Sequence, residues 1–454
     1  MEGRHVIIMK KRKKRLTQTQ FIAIGFILII MAGTLLLMLP IASRSGEGTD
    51  FLSALFTATS ATCVTGLVVF DTYRHWSLFG QIVILLMIQI GGLGFMTIGV
   101  FFSIFLRKKI SLNTRGILQE SVNTLQIGGI VKLVKKIVKG TLLFEGLGAV
   151  LLSLRFIPLF GPAEGIYYGI FHGISAFCNA GFDLMGRYEA YTSLTPFQTD
   201  PLVNLVIISL ILIGGIGFVV WDDVIQNKLN FRKYQIHTKI VLTMTAILTF
   251  GGALLFYFFE RGNLMKDCGP VEAVLESLFC AVTPRTAGFN TIDTAGLSEG
   301  SFLLTIFFMF IGGSPGSTAG GIKTTTIAIL IVYVWSEISQ TNGCNLFGRR
   351  MDDHTIKKAC IVFLINMMLA IGATLILCSA QPIALKDALF ETFSAIGTVG
   401  MSSGVTRDLN TVSRIVIILL MYLGRIGSLA FALSFTHNRV KAPVQLPVGK
   451  VTVG

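Results

Sequence analysis

The chain has 454 residues, of which 52% are hydrophobic and only 14% charged, with a formal net charge of +14. Soluble domains carry about 25% charged residues, and the mean hydropathy of +0.72 excludes a soluble enzyme or a folded extramembrane domain of any size. Apolar runs of spanning length, rich in Gly and Phe, point to an all-α polytopic membrane protein and away from a barrel.

The positive charge does not call for nucleic acid. Basic residues gather at Lys10 to Arg15, Arg107 to Lys139, Lys228 to Lys239, Arg349 to Lys358 and the tail after His437. The positive-inside rule makes all five cytoplasmic, with both termini inside the cell and membrane lipid as the surrounding partner. The first apolar run, Phe21 to Leu39, is too long for a signal-peptide core and lacks a small-residue cleavage site, so it reads as a retained helix. Seven cysteines form no C-x-x-C pair and six histidines lack ligand spacing. Free thiols and no metal or organic cofactor are therefore expected.

In chain order, four units each combine a spanning helix, a short re-entrant segment and a second spanning helix, eight transmembrane helices in all. The first unit (1–110) has Phe21 to Leu39, Phe51 to Leu67 and Gln81 to Leu106. The second (111–226) has Ile137 to Phe156, Tyr168 to Phe182 and Leu202 to Trp221. The third (227–345) has Ile240 to Phe259, Val274 to Phe289 and a broken helix from Phe302 to Trp335. The fourth (346–454) has Cys360 to Cys378, Ala388 to Met401 and Ile415 to Phe435. The re-entrant segments are too short to cross: a dozen helical residues reach roughly 18 Å against about 30 Å of hydrocarbon.

These segments align without gaps on Gly66, Gly181, Gly288 and Gly400, spaced 115, 107 and 112 residues apart. Ten residues earlier stand Phe56, Phe171, Leu278 and Phe390; six earlier stand Ser60, Ser175, Val282 and Ser394. The second helices carry a matching glycine motif, Ile90-Gly91-Gly92, Ile213-Gly214-Gly215 and Ile311-Gly312-Gly313, with Leu423-Gly424-Arg425 in the fourth. Close helix packing explains the first two pairs. Non-helical backbone at membrane depth survives only when buried or lining a cavity, so four half-helices ending in glycine can present carbonyls to a cation on one axis.

Two places break the repeat. The stretch Gly312 to Gly321, with Gly312, Gly313, Gly316, Ser317, Thr318, Gly320 and Gly321, cannot be continuous helix because of its glycines and Pro315. It lies between apolar runs of half a bilayer each, and reads either as a gate or as passive irregularity. Arg425 lies at comparable depth, where a charge is costly; it forms a barrier or holds that loop, or else pairs with an acid such as Glu145. Arg285 precedes its glycine by three residues, and is expected to point behind the ring and pair with Glu276 or Glu391.

The motifs Cys63-Val64-Thr65-Gly66, Cys178-Asn179-Ala180-Gly181, Arg285-Thr286-Ala287-Gly288 and Gly397-Thr398-Val399-Gly400 resemble the filter signatures of the Trk/Ktr/HKT potassium transporters, and in particular of a Ktr membrane subunit (KtrB/KtrD-like). The likeness covers essentially the whole chain. It implies that these sixteen residues bind potassium through their backbone and that the Gly312 to Gly321 loop gates the path. Gly66 in place of a serine favours potassium over sodium, and Met401 stands where many relatives have leucine. The likeness further implies a homodimer on a cytosolic RCK-type nucleotide-binding ring, with sodium stimulating uptake. From the residues alone, the basic loops suit an acidic partner or anionic lipid equally. The function expected is channel-like potassium uptake across the cell membrane, not an enzyme reaction. An ion-coupled secondary transporter is the alternative, since interrupted helices serve that class too, and a structural scaffold is the third.

Overall fold

A computed structural model describes residues 17–94, 97–100, 116, 119, 129–228, 230–341 and 343–428. The N-terminal basic cluster, most of the 107–128 loop and the tail beyond 428 lie outside the described residues. The rest is almost all helix, with one tiny hairpin pairing Asn345–Leu346 with Arg349–Arg350.

Among the described residues, four helices are long and apolar enough to cross a membrane unaided: Thr19–Leu37, Val131–Phe160, Ile236–Glu260 and Asp353–Ala380. They are the four expected first helices. Exposed leucines such as Leu28, Leu35, Leu142 and Leu364 stud their outer faces, as a hydrocarbon solvent allows. Inside them stand four half-helices, Phe51–Thr62, Pro162–Phe177, Pro270–Val282 and Leu385–Gly397. Their starts are set by local chemistry. Asp50 accepts the Ser53 N–H as an N-cap, and proline opens the second and third, where its missing N–H costs nothing. Phe56, Phe171, Phe279 and Phe390 are fully buried at their centres.

The second helices depart from the expectation of one broken span among four, because all four are interrupted. Leu78–Leu93 ends at Gly94 with φ +78°, and Thr411–Ile426 at Gly427 with φ +96°. Pro201–Gly215 turns by 95° into Phe218–Asn227 across Gly217 at φ +100°. Glu299–Phe310 and Thr324–Ile338 flank the long break. Left-handed glycine stops a helix without steric cost, so the motif read as helix packing also marks a break. Packing is present as well: a Cβ on Gly91 would strike the Thr62 carbonyl oxygen, on Gly214 that of Phe177, and on Gly424 that of Ile396. The second helices of the first, second and fourth units thus lie against the C-terminal ends of half-helices.

Candidate functional site

The half-helices end where the four glycines begin, and their last residues share one backbone pattern. Gly66, Gly181, Gly288 and Gly400 all have positive φ, between +70° and +95°. So do the residues two positions earlier, Val64, Asn179, Thr286 and Thr398, at +52° to +71°. Left-handed backbone is rare for β-branched residues, and its appearance at the same register four times marks an imposed conformation.

The segments close into a ring in chain order. A Cβ on Gly66 would lie 2.5 Å from the Ala180 carbonyl oxygen, and one on Gly181 2.7 Å from that of Ala287. Gly288 faces the Val399 carbonyl in the same way, and Gly400 faces that of Thr65, returning to the first segment. Each glycine therefore abuts the carbonyl that precedes the next segment's glycine. Hydrogen bonds behind the ring fix this: Ser60 Oγ accepts the Gly66 N–H at 3.1 Å and Ser394 Oγ accepts that of Gly400 at 3.1 Å. Ser175 Oγ donates instead to the Phe182 carbonyl at 2.7 Å. Where the third segment has Val282, Thr283 takes over, donating to the Phe289 carbonyl.

The stretch 312–321 lies on one side of the ring. Its Thr318 hydroxyl donates to the Phe177 carbonyl at 3.1 Å and to Asn179 Oδ1 at 3.2 Å, and Gly320 packs so close to Thr398 that a Cβ would overlap it. It is also stitched to the break in the second unit, through Ser314 N–H to the Gly215 carbonyl at 3.0 Å and Phe218 N–H to that of Gly316 at 2.8 Å. Arg425 approaches from another side, its guanidinium donating to the carbonyls of Thr318, Gly91 and Gly92. It makes no ion pair with Glu145, whose carboxylate accepts from Gln89 Nε2 at 3.0 and 3.2 Å. Arg425 thus touches the loop through Thr318 and is not paired with Glu145.

Arg285 does turn away from the ring, but the carboxylate partner expected for it is absent. Nη1 donates to Thr249 Oγ1 at 3.2 Å on the first helix of its own unit, where a π-helical turn, Ile247–Gly251, opens the backbone. Glu276 contacts Cys268, and Glu391 binds Ser402, Ser403 and Thr406. Sequence reading also missed Lys323, whose Nζ donates to the carbonyls of Ala319 at 2.8 Å and Gly320 at 3.1 Å. Its signal was a lone cation in the apolar run after the loop.

Cavities open on both faces of this assembly. One of about 190 Å³ is lined by all four ring glycines, with three carboxylates, Asp71, Asp183 and Asp293, against one cation, Arg407. Here Asp183 is pushed up to about 7, chiefly by burial and then by neighbouring Asp71, against the Met185 N–H it accepts. The other, about 460 Å³, is lined by Pro315, Ser317, Ala319, Lys323, Lys358 and Arg425. A negative mouth and a positive mouth thus face each other across the ring and the loop.

The model of the TrkH family, described as cation transport protein, matches residues 8–441. This chain belongs to the TrkH cation transport family. It is a transporter, not an enzyme. The potassium/sodium uptake protein NtpJ of Enterococcus hirae is 42% identical over 98% of this chain and 100% of its own length. The Ktr system potassium uptake protein B of Bacillus subtilis is 40% identical over 97% of each chain. Among solved structures, the potassium transporter TrkH of Vibrio parahaemolyticus superposes with a TM-score of 0.74 at 18% identity, over 96% of this chain and 87% of that one. That likeness establishes the shared polytopic helical fold.

Proposed function

We propose that the chain is the ion-translocating subunit of a Ktr-type potassium uptake system, with the glycine ring as selectivity filter and 312–321 as gate. The observation that carries this reading is the closure of four equivalent glycine segments against one another's carbonyls. Residues 63–66, 178–181, 285–288 and 397–400 would replace the hydration shell of a potassium ion with backbone oxygens, while the half-helix C-termini add negative potential. Only one glycine is common to all four segments, so fewer stacked sites form than in a tetrameric channel and selectivity is correspondingly modest.

The acidic cavity is the outer mouth and the basic cavity the inner one, in agreement with cytoplasmic basic loops. Potassium enters past Asp71, Asp183 and Asp293, loses water at the ring, and is stopped by the loop while Arg425 and Lys323 hold its carbonyls. The membrane potential, at about 2.3 kcal/mol per charge per 100 mV, drives inward movement without ATP. Opening requires the loop to leave the underside of Thr398 and Asn179. The relatives named for Ktr systems support a regulatory partner, for which we propose an RCK-type ring beneath a homodimer. Coupled transport of sodium with potassium is the second reading, favoured by the name of the Enterococcus relative. Purified protein in liposomes distinguishes them: potassium flux that needs no sodium gradient supports the channel-like reading, and flux strictly dependent on sodium overturns it.

A further inference from the structure

The ring is held unequally from behind. Nine residues before their glycines, the four half-helices carry Thr57, His172, Phe279 and Glu391. Thr57 donates only to the Ser53 carbonyl of its own helix, at 3.0 Å, and Phe279 is apolar. The other two reach across to the chain leaving the ring. His172, fully buried, has Nδ1 2.8 Å from the Tyr168 carbonyl and Nε2 3.3 Å from the Leu184 N–H. A carbonyl requires a donor and an N–H requires an acceptor, so the imidazole is the neutral Nδ1–H tautomer. Glu391, also fully buried, accepts from the Ser403 N–H at 3.2 Å, from Ser402 Oγ and from Thr406 Oγ1 at 2.5 Å.

Leu184 and Ser403 each lie three residues past their glycine. Because the ring closes in chain order, the second and fourth segments are not neighbours but face each other. We infer that His172 and Glu391 are a matched pair of positioning residues that fix the outer end of the ring across one diagonal and thereby set its discrimination between potassium and smaller cations. The physical reason is leverage. Carbonyls behind a fixed exit hold one spacing, whereas a released exit lets the ring contract around a smaller ion. The two remaining segments have no such tie at this position, so the width along one diagonal rests on two side chains.

This inference rests on the ring being the filter. The test is the potassium to sodium flux ratio of the full-length protein in liposomes, for wild type, His172→Phe and Glu391→Gln. Phenylalanine is the residue already accommodated at the matching position 279. Each variant is expected to lower the ratio about five-fold, the effect of losing one ordinary hydrogen bond, and the pair together to lower it further. If Glu391→Gln does not fold, Thr406→Val and Ser402→Ala remove donors from the other side and should act in the same direction. Thr57→Val, at the unlinked position, should leave the ratio unchanged. A merely structural role would lower both fluxes in proportion at constant ratio, and that result, in protein that melts cooperatively, overturns the inference. Wild-type protein without potassium flux would instead overturn the filter reading itself.

Discussion

The ring and the layer beneath it are built on opposite plans. Four segments from separate parts of the chain supply the ring with one backbone geometry, a left-handed residue two positions before a left-handed glycine. The layer beneath comes from a single stretch, 312–321, the longest of the four second-helix breaks among the described residues, gripped by the unmatched cations Arg425 and Lys323. Repetition suits a site that must present equal oxygens to a spherical ion. A single unrepeated segment suits a switch, because one element can move while the other three quarters stay packed.

The sharpest way to break the comparison is to harm one copy of the repeated part. Gly181→Ala adds a Cβ 2.7 Å from the Ala287 carbonyl oxygen at φ +70°, and potassium flux in liposomes should be lost although the other three glycines remain. Deleting Gly316 to Ala319 should do the reverse, raising flux about ten-fold or more, since the obstruction is removed while the four ring segments keep their own backbone, losing only the Thr318 contacts to Phe177 and Asn179. Arg425→Ala follows in size. It removes three hydrogen bonds to carbonyls, and even one, at about 1.5 kcal/mol for a charged donor, shifts closed against open about ten-fold. Arg425→Lys should recover part of the closure, as an ammonium cannot span the same carbonyls.

The smallest effect is expected at the outer mouth. The Asp183 carboxyl, raised to about 7, loses its negative charge as external pH falls through neutrality, so uptake should decline between about pH 8 and about pH 6. Asp183→Asn should flatten that profile and lower uptake at the alkaline end. An unaltered profile in the variant would remove Asp183 from the ion's approach.

Much of this arrangement was legible in the chain. The half-helices announced themselves by being apolar yet too short to span, and a glycine recurring at a near-constant interval gave the register. The left-handed residue two places earlier could not be read, because three of the four, Val64, Thr286 and Thr398, are β-branched residues that disfavour that region, and the ring, not local propensity, imposes the conformation. Breaks in the other second helices were masked for a similar reason. Gly91-Gly92 and Gly214-Gly215 satisfy a packing motif, and nothing in the sequence separates packing from interruption when both occur together. Arg285 suggested a carboxylate because a buried charge is costly. The fold offers Thr249 Oγ1 instead, leaving Arg285 Nε without a hydrogen-bond partner among the described residues.

The central claim is that the ion passes on the axis of the four glycines. Anomalous diffraction from crystals grown in rubidium or thallium tests it directly, since both ions substitute for potassium and scatter strongly. A peak enclosed by the carbonyls of Thr65, Ala180, Ala287 and Val399 is the result expected. Crystals that conserve the ring but show no peak there, with ions bound elsewhere between the helices, would contradict it.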